Sequence, residues 1–162
     1  MEERITYKES HSPLFSHDGI HDSQTHLLAP TYFYKELERE IALSARTGIN
    51  FWAVRIVFTR VSSDGNRREE KLRAEDVLYF SQALQALTRK EDCVARLGVN
   101  ECVILVRSSG NTVGTLLSRL ANDPSLTVNN ALEISLSTIE CETGENALSF
   151  LNRLDQQALS TQ

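Results

Sequence analysis

An arginine and an aspartate three positions apart, in the tetrapeptide Arg89-Lys90-Glu91-Asp92, have the types and spacing that suit ligand recognition. Three-residue spacing at the end of a predicted helix lets both side chains point the same way. A guanidinium can donate two parallel hydrogen bonds to a pair of acceptors, and a carboxylate can accept hydrogen bonds from N–H donors. The pair fits equally well a solvated ion pair that caps the helix and contributes little stability.

Two other groups of residues have types that bind metals but lack a supporting pattern. His17 and His21 are four positions apart, yet a glycine lies between them and no further ligand pattern follows, so a solvated tail is favoured over a metal site. The three cysteines are odd in number and widely spaced, and they contain no C-x-x-C pair. We therefore expect neither a disulfide framework nor zinc, and a reducing cytoplasm is the simplest compartment.

Length and charge restrict the classes of protein to consider. The 162 residues fit one globular domain with a single core. A net charge of −5 argues against a sequence-independent grip on nucleic acid, which needs many unopposed cations. The chain begins without the apolar region of a signal peptide, and no apolar run approaches the roughly 18 residues of a membrane span.

The hydrophobic pattern from Pro30 onward predicts helices and strands in alternation, whereas residues 1–24 show no sustained periodicity and are predicted to be a flexible tail or connector. Helices are predicted at 31–47, at a stripe of Val77, Phe80, Leu84 and Leu87, at 111–121 and at 145–159. Strands are predicted at 51–61, 93–97, 102–106 and 131–139. Tyr34, Leu37, Ile41 and Ala45 recur at helical spacing in the first helix, Trp52, Val54, Ile56 and Phe58 share one face of the first strand, and Leu148, Leu151, Leu154 and Ala158 face inward in the last helix.

The order of these elements predicts an α+β fold. A βαββαβ core with one added helix at each end implies a mostly antiparallel central sheet with helices packed on it. The two middle strands flank the four residues Gly98, Val99, Asn100 and Glu101, which predicts a β-hairpin. We expect one domain over residues 25–162.

At this point the chain resembles GGDEF domains, the family of the diguanylate cyclases. Asp22-x-x-Thr25-x-Leu27-Leu28 followed by Phe33 and Leu37 resembles the opening D-x-L-T-G-L-x-N-R-x-x-F, and Asp92-Cys-Val-Ala-Arg-Leu-Gly-Val-Asn-Glu-Cys resembles the D-x-V-A-R-x-G-G-D-E-F hairpin. Residues 134–137 and 154–159 are similar to the later V-S-I-G and A-D-x-A-L-Y. The similarity spans residues 22–159 in the right order, which makes it specific although each motif is weak.

The departures from the family lie where its chemistry takes place. Such cyclases join two GTP molecules into cyclic di-GMP with Mg²⁺ held by carboxylates at the end of the first strand and in the GGDEF turn. Residues 51–63 contain no acid, and Asp64 comes too late to replace one. In the turn Gly98 is kept, but Val99, Asn100 and Cys102 replace a glycine, an acid and a phenylalanine. The family's guanine-binding segment N-D-x-x-G-H-x-x-G-D is also absent, so we expect no catalytic residues, no metal site and no Mg²⁺ cofactor.

One functional motif of the family is kept. Asp92 lies six residues before Gly98, so Arg89 and Asp92 stand at the position of the family's inhibitory site for cyclic di-GMP. The resemblance implies guanine as the ligand, because a guanidinium can donate to its O6 and N7 and a carboxylate can accept from its N1–H and amino group. Arg119, assigned by rough position alone, is a candidate for a further guanidinium supplied by a neighbouring subunit. Glu101 is interpreted as a relic whose carboxylate faces solvent in the hairpin turn.

Three hypotheses follow from the sequence. The first is a catalytically inactive signalling domain that binds cyclic di-GMP and reports its occupancy to a partner protein or adjacent domain. The second is an interaction module in which the fold serves as a surface for homodimerisation or docking and no nucleotide binds. The third is a residual cyclase that uses Glu101 with an unusual metal arrangement.

Overall fold

The computed structural model describes residues 11–161 of the chain. Within them it contains helices α1 Pro30–Thr47, α2 Ala74–Leu87, α3 Gly110–Asn122 and α4 Ala147–Gln156, and strands β1 Phe51–Val61, β2 Glu69–Glu70, β3 Cys93–Gly98, β4 Glu101–Arg107, β5 Leu132–Glu140 and β6 Ser160–Thr161. Over this described range no helix combines the length and the apolar character that crossing a membrane requires.

The strands form one antiparallel sheet in the order β3-β4-β1-β5-β6, and β2 pairs with the end of β1. This arrangement confirms the α+β fold with its βαββαβ core and its hairpin. The strands β2 and β6 are not predicted from the sequence, because two residues are too short to show a hydrophobic period. The long central strand β1 positions the hairpin of β3 and β4 against the rest of the sheet.

Helices cover both faces of the sheet, so β1 is buried on two sides. Val54 and Ile56 lie in a core cluster with residues of α2 and α3, whereas Phe51 and Ala53 lie in a second cluster with residues of α1 and α4. The sequence grouped four residues on one face of β1, and the structure shows that residues of the opposite face are buried as well. A strand between two helical layers loses the alternation by which a half-buried strand is recognised.

In two helices the buried residues differ from those that the sequence pattern indicated. In α1 the buried residue is Phe33 instead of Tyr34, which is exposed. In α4 Phe150 and Leu154 are buried, whereas Leu148 is 63% exposed. The prediction that Leu148 and Ala158 face inward is wrong, because α4 ends at Gln156 and its apolar face runs through Ala147, Phe150, Leu151 and Leu154.

The segment before α1 packs against the hairpin. The Leu28 amide donates to the Val94 carbonyl at 3.1 Å, and the Leu28 carbonyl accepts from the Arg96 amide at 3.0 Å, which joins residues 21–28 to β3. Asp22, on the connector side of the predicted boundary, is fully buried. The boundary at residue 24 stays a prediction, and residues 1–10 of the predicted tail lie outside the described part of the chain.

Candidate ligand-binding site

Arg89 and Asp92 lie in a tight turn between α2 and β3. The Oδ2 atom of Asp92 accepts a hydrogen bond from the Arg89 amide at 2.9 Å, and the Asp92 amide donates to the Arg89 carbonyl at 3.2 Å. Among the described residues no ion pair or side-chain hydrogen bond engages the Arg89 guanidinium or Asp92 Oδ1. The turn thus fixes the backbone of both residues while leaving one carboxylate oxygen and a whole guanidinium for a ligand.

Arg119 joins these two residues in one cleft. Arg89, Asp92 and Arg119 line a small depression between the end of α2 and α3, together with Leu87 and Thr115. The Arg119 guanidinium donates to the Leu87 carbonyl, so the last turn of α2 holds it in place. The sequence suggested Arg119 by rough position as a guanidinium that a neighbouring subunit supplies, and the structure places Arg119 beside Arg89 and Asp92 of its own chain.

The GGDEF-like turn is hydrogen-bonded to β1 through Asn100. The Asn100 Nδ2 atom donates to the Phe58 carbonyl at 3.0 Å, and the Asn100 carbonyl accepts from the Phe58 amide at 3.1 Å. Val99 is exposed at the tip of the turn. Both hydrogen bonds attach Asn100, at the third position of the turn, to β1.

Glu101 forms an ion pair with Arg55 of β1. The Arg55 Nε atom lies 2.9 Å from Glu101 Oε1, and Nη2 lies 3.4 Å from Oε2, a two-pronged arrangement. The two side chains are only 17% and 24% exposed, so the interpretation of Glu101 as a carboxylate facing solvent was wrong. The guanidinium places a positive charge directly beside this carboxylate.

Arg55, the partner of Glu101, is a residue that the sequence interpretation did not consider. It is the only charged residue within the nine-residue apolar run from Phe51 to Thr59. A charged side chain within such an apolar run needs a counter-charge nearby. The sequence therefore indicates that Arg55 has an acidic partner. The partner could not be chosen, because it depends on β1 pairing antiparallel with β4 so that Val57 lies opposite Glu101.

A second arginine, buried in the core, is hydrogen-bonded to the backbone of the hairpin turn. Arg96 is fully buried and pairs with Asp22 at 3.0 Å. Its Nε atom donates to the Gly98 carbonyl at 3.2 Å and its Nη2 atom to the Val99 carbonyl at 2.9 Å. The backbone of the turn is therefore held by a side chain of β3.

The remaining candidates do not form a metal site. Asp64 is exposed and accepts from the Ser62 hydroxyl and the Asn66 amide, which lower the pKa of its carboxyl. His17 and His21 do not lie on a helix, and His17 Nδ1 accepts from the Gly19 amide at 3.1 Å. Between residues 11 and 161 no group of three or more histidine, cysteine or acidic residues is placed to hold a metal ion.

Comparison with known proteins finds similarity in structure alone. No protein-family model matches the sequence, and no curated protein matches it. Among solved structures, the coiled coil and GGDEF domain of DgcB from Caulobacter crescentus in complex with c-di-GMP superposes with a TM-score of 0.71 at 17% identity, covering 85% of this chain and 78% of that one. A second similar structure, of a microbial GGDEF domain with bis-(3,5)-cyclic di-GMP, has a TM-score of 0.68 at 18% identity and coverages of 84% and 85%.

A third similar structure is the diguanylate cyclase SiaD with its activator SiaC from Pseudomonas aeruginosa. Its TM-score is 0.67 at 18% identity, and the match covers 83% of this chain and 55% of that one.

The architecture of this chain is an antiparallel sheet between two pairs of helices, with a hairpin at one edge. It is the fold of GGDEF domains.

Proposed function

We propose that this chain is a catalytically inactive GGDEF-fold domain that binds cyclic di-GMP through Arg89 and Asp92. The observation that carries the proposal is the turn in which these residues leave a guanidinium and a carboxylate oxygen unpaired, with Arg119 in the same cleft. These groups complement the hydrogen-bonding edge of guanine. The similar GGDEF structures in complex with c-di-GMP support the choice of ligand.

Loss of cyclase activity is the second part of the proposal. Transfer of a nucleotidyl group requires cations at the triphosphate, and these are held by carboxylates. In this chain Glu101 is paired with Arg55, and Asn100 is bonded to the backbone of β1. The domain therefore works without Mg²⁺ as a receptor or regulatory module, and ligand occupancy at the α2–β3 turn is passed to a partner protein or an adjacent domain.

Calorimetric titration with cyclic di-GMP tests the binding site. We expect binding by the wild-type chain, and a loss of roughly tenfold to a hundredfold in affinity for Arg89→Ala and for Asp92→Asn, because each removes hydrogen bonds to the guanine edge worth about 1–3 kcal/mol. Arg39→Ala is the matched control, since the Arg39 side chain is 76% exposed on α1 and only pairs with Glu36 at 3.8 Å. No binding at tens of micromolar, or equal binding by Arg89→Ala, contradicts the receptor function.

Incubation with GTP and Mg²⁺ or Mn²⁺ tests the absence of catalysis. We expect no cyclic di-GMP above the level of a protein-free control. Product that disappears in Glu101→Gln would show a working cyclase and would overturn this part of the proposal without touching the binding site.

A further inference from the structure

Asp92 and Arg89 also line a second, wider cleft on the side of the N-terminal segment. This cleft has a volume of about 400 Å³, and its charged and titratable residues are His21, His26, Arg89, Lys90 and Asp92. Arginine and lysine carry permanent charge, one carboxylate opposes them, and the two imidazoles add positive charge on protonation. The cleft is therefore suited to an anion, and more so as pH falls.

His26 is held in this cleft by an unusual backbone conformation. Its φ is 59°, in the left-handed region that costs free energy for any residue with a Cβ atom. It occupies the position of the glycine in the D-x-L-T-G-L motif that the segment resembles. Its imidazole is exposed and has no hydrogen-bond partner among the described residues. An ionisable side chain thus occupies a position at which the backbone conformation would be unstrained for glycine.

His21 is placed by the same segment, which is attached to β3. The His21 amide donates to Asp18 Oδ1 at 2.8 Å, and His21 forms a β-bridge with Leu28. Leu28 in turn is hydrogen-bonded to Val94, two residues after Asp92. Both histidines are therefore fixed relative to the Arg89–Asp92 turn by main-chain hydrogen bonds.

We propose that His21, His26 and Lys90 bind the phosphate groups of a cyclic dinucleotide whose guanine is held by Arg89 and Asp92, so that protonation of the imidazoles strengthens binding. The inference rests on the proposed function of the same site. The phosphodiesters of such a ligand stay anionic across the range in which histidine titrates. The charged groups that face the two imidazoles are Asp18 on their own segment and Arg89, Lys90 and Asp92 on the α2–β3 turn.

Calorimetry with cyclic di-GMP at about pH 5.5 and about pH 8 tests the inference. The wild-type chain is expected to bind about threefold to tenfold more tightly at the lower pH, as two exposed charge pairs would provide. The dependence should disappear in the double variant His21→Ala, His26→Asn. Asparagine is chosen because it tolerates the left-handed conformation but carries no charge.

The control is His11→Ala, since His11 is exposed and does not line the cleft. It should keep the full pH dependence, which separates the two cleft histidines from general effects of acid. Wild-type affinity that is equal at both pH values, or a dependence that survives in the double variant, overturns the inference while the receptor function stands. Absence of binding at either pH overturns both.

Discussion

The guanidinium of Arg96 lies 3.0 Å from the carboxylate of Asp22, and neither side chain has more than 1% of its surface exposed. The two residues are 74 positions apart and belong to different motifs of the sequence, one before α1 and one in β3. Thr25 adds hydrogen bonds to Asp22 from its hydroxyl at 2.7 Å and its amide at 2.8 Å. A fully bonded buried ion pair therefore joins the N-terminal segment to the hairpin.

Removal of Asp22 should be strongly destabilising. The variant Asp22→Ala leaves a buried guanidinium without its counter-charge, which typically costs about 3–5 kcal/mol. Urea unfolding of the variant should show a loss of that order, whereas the exposed control Arg39→Ala should lose less than about 1 kcal/mol. Equal stabilities of the two variants would show that water solvates Arg96 when its partner is absent.

The Arg55–Glu101 pair leads to a prediction about metal binding. Replacing both blocking groups, in the double variant Arg55→Ser, Asn100→Asp, frees Glu101 and restores a second carboxylate at the turn. Carboxylates in pairs bind divalent cations, so Mn²⁺ should bind to this variant and not to the wild-type chain, as electron paramagnetic resonance of free Mn²⁺ can measure. The single variant Arg55→Ser is the control, and Mn²⁺ binding by the wild type equal to that of the double variant would exclude the blocking role of Arg55.

Local patterns of sequence predicted the elements, and contacts between distant strands account for what they missed. The stripe of Val77, Phe80 and Leu84 on α2 could be recognised because a helix repeats within a few residues. The partner of Arg55 could not, since it depends on the register between β1 and β4. The two-sided burial of β1 likewise depends on the packing of α2 and α3 on one face of the sheet and of α1 and α4 on the other.

The candidate site likewise contains residues that local sequence reveals and residues that only tertiary packing brings together. The spacing of Arg89 and Asp92 is local and was visible in the sequence, whereas the position of Arg119 depends on how α3 packs beside the end of α2. His21 was interpreted as part of a tail because residues 1–24 have no hydrophobic period, and His26 lies just beyond that predicted boundary. The structure of the segment that contains both comes from single hydrogen bonds to β3, which leave no repeating signal.

Burial of Cys102 should make the free energy of unfolding fall as the pH becomes alkaline. Desolvation raises the pKa of this thiol to about 12, with smaller effects from Arg96, Asp22 and Glu101. In the unfolded chain a thiol ionises near pH 8.5, so above that pH the folded state holds more protons and stability falls, by up to about 1.4 kcal/mol per pH unit. Urea unfolding at about pH 8 and about pH 10 should therefore show a smaller decline for Cys102→Ala than for the wild type. Parallel declines would show that other groups dominate.

Because His26 has a left-handed backbone conformation, glycine should be more stable than alanine at this position, the reverse of their order within a helix. At φ 59° glycine is relaxed and alanine is strained, so His26→Gly should be more stable than His26→Ala by about 1 kcal/mol. The matched control is Glu38, exposed within α1, where the order reverses because glycine in a helix costs about 1 kcal/mol relative to alanine. Thermal unfolding of the four variants measures both differences. If alanine is the more stable residue at both positions, the segment relaxes out of the left-handed conformation, and the histidine is not held there by its surroundings.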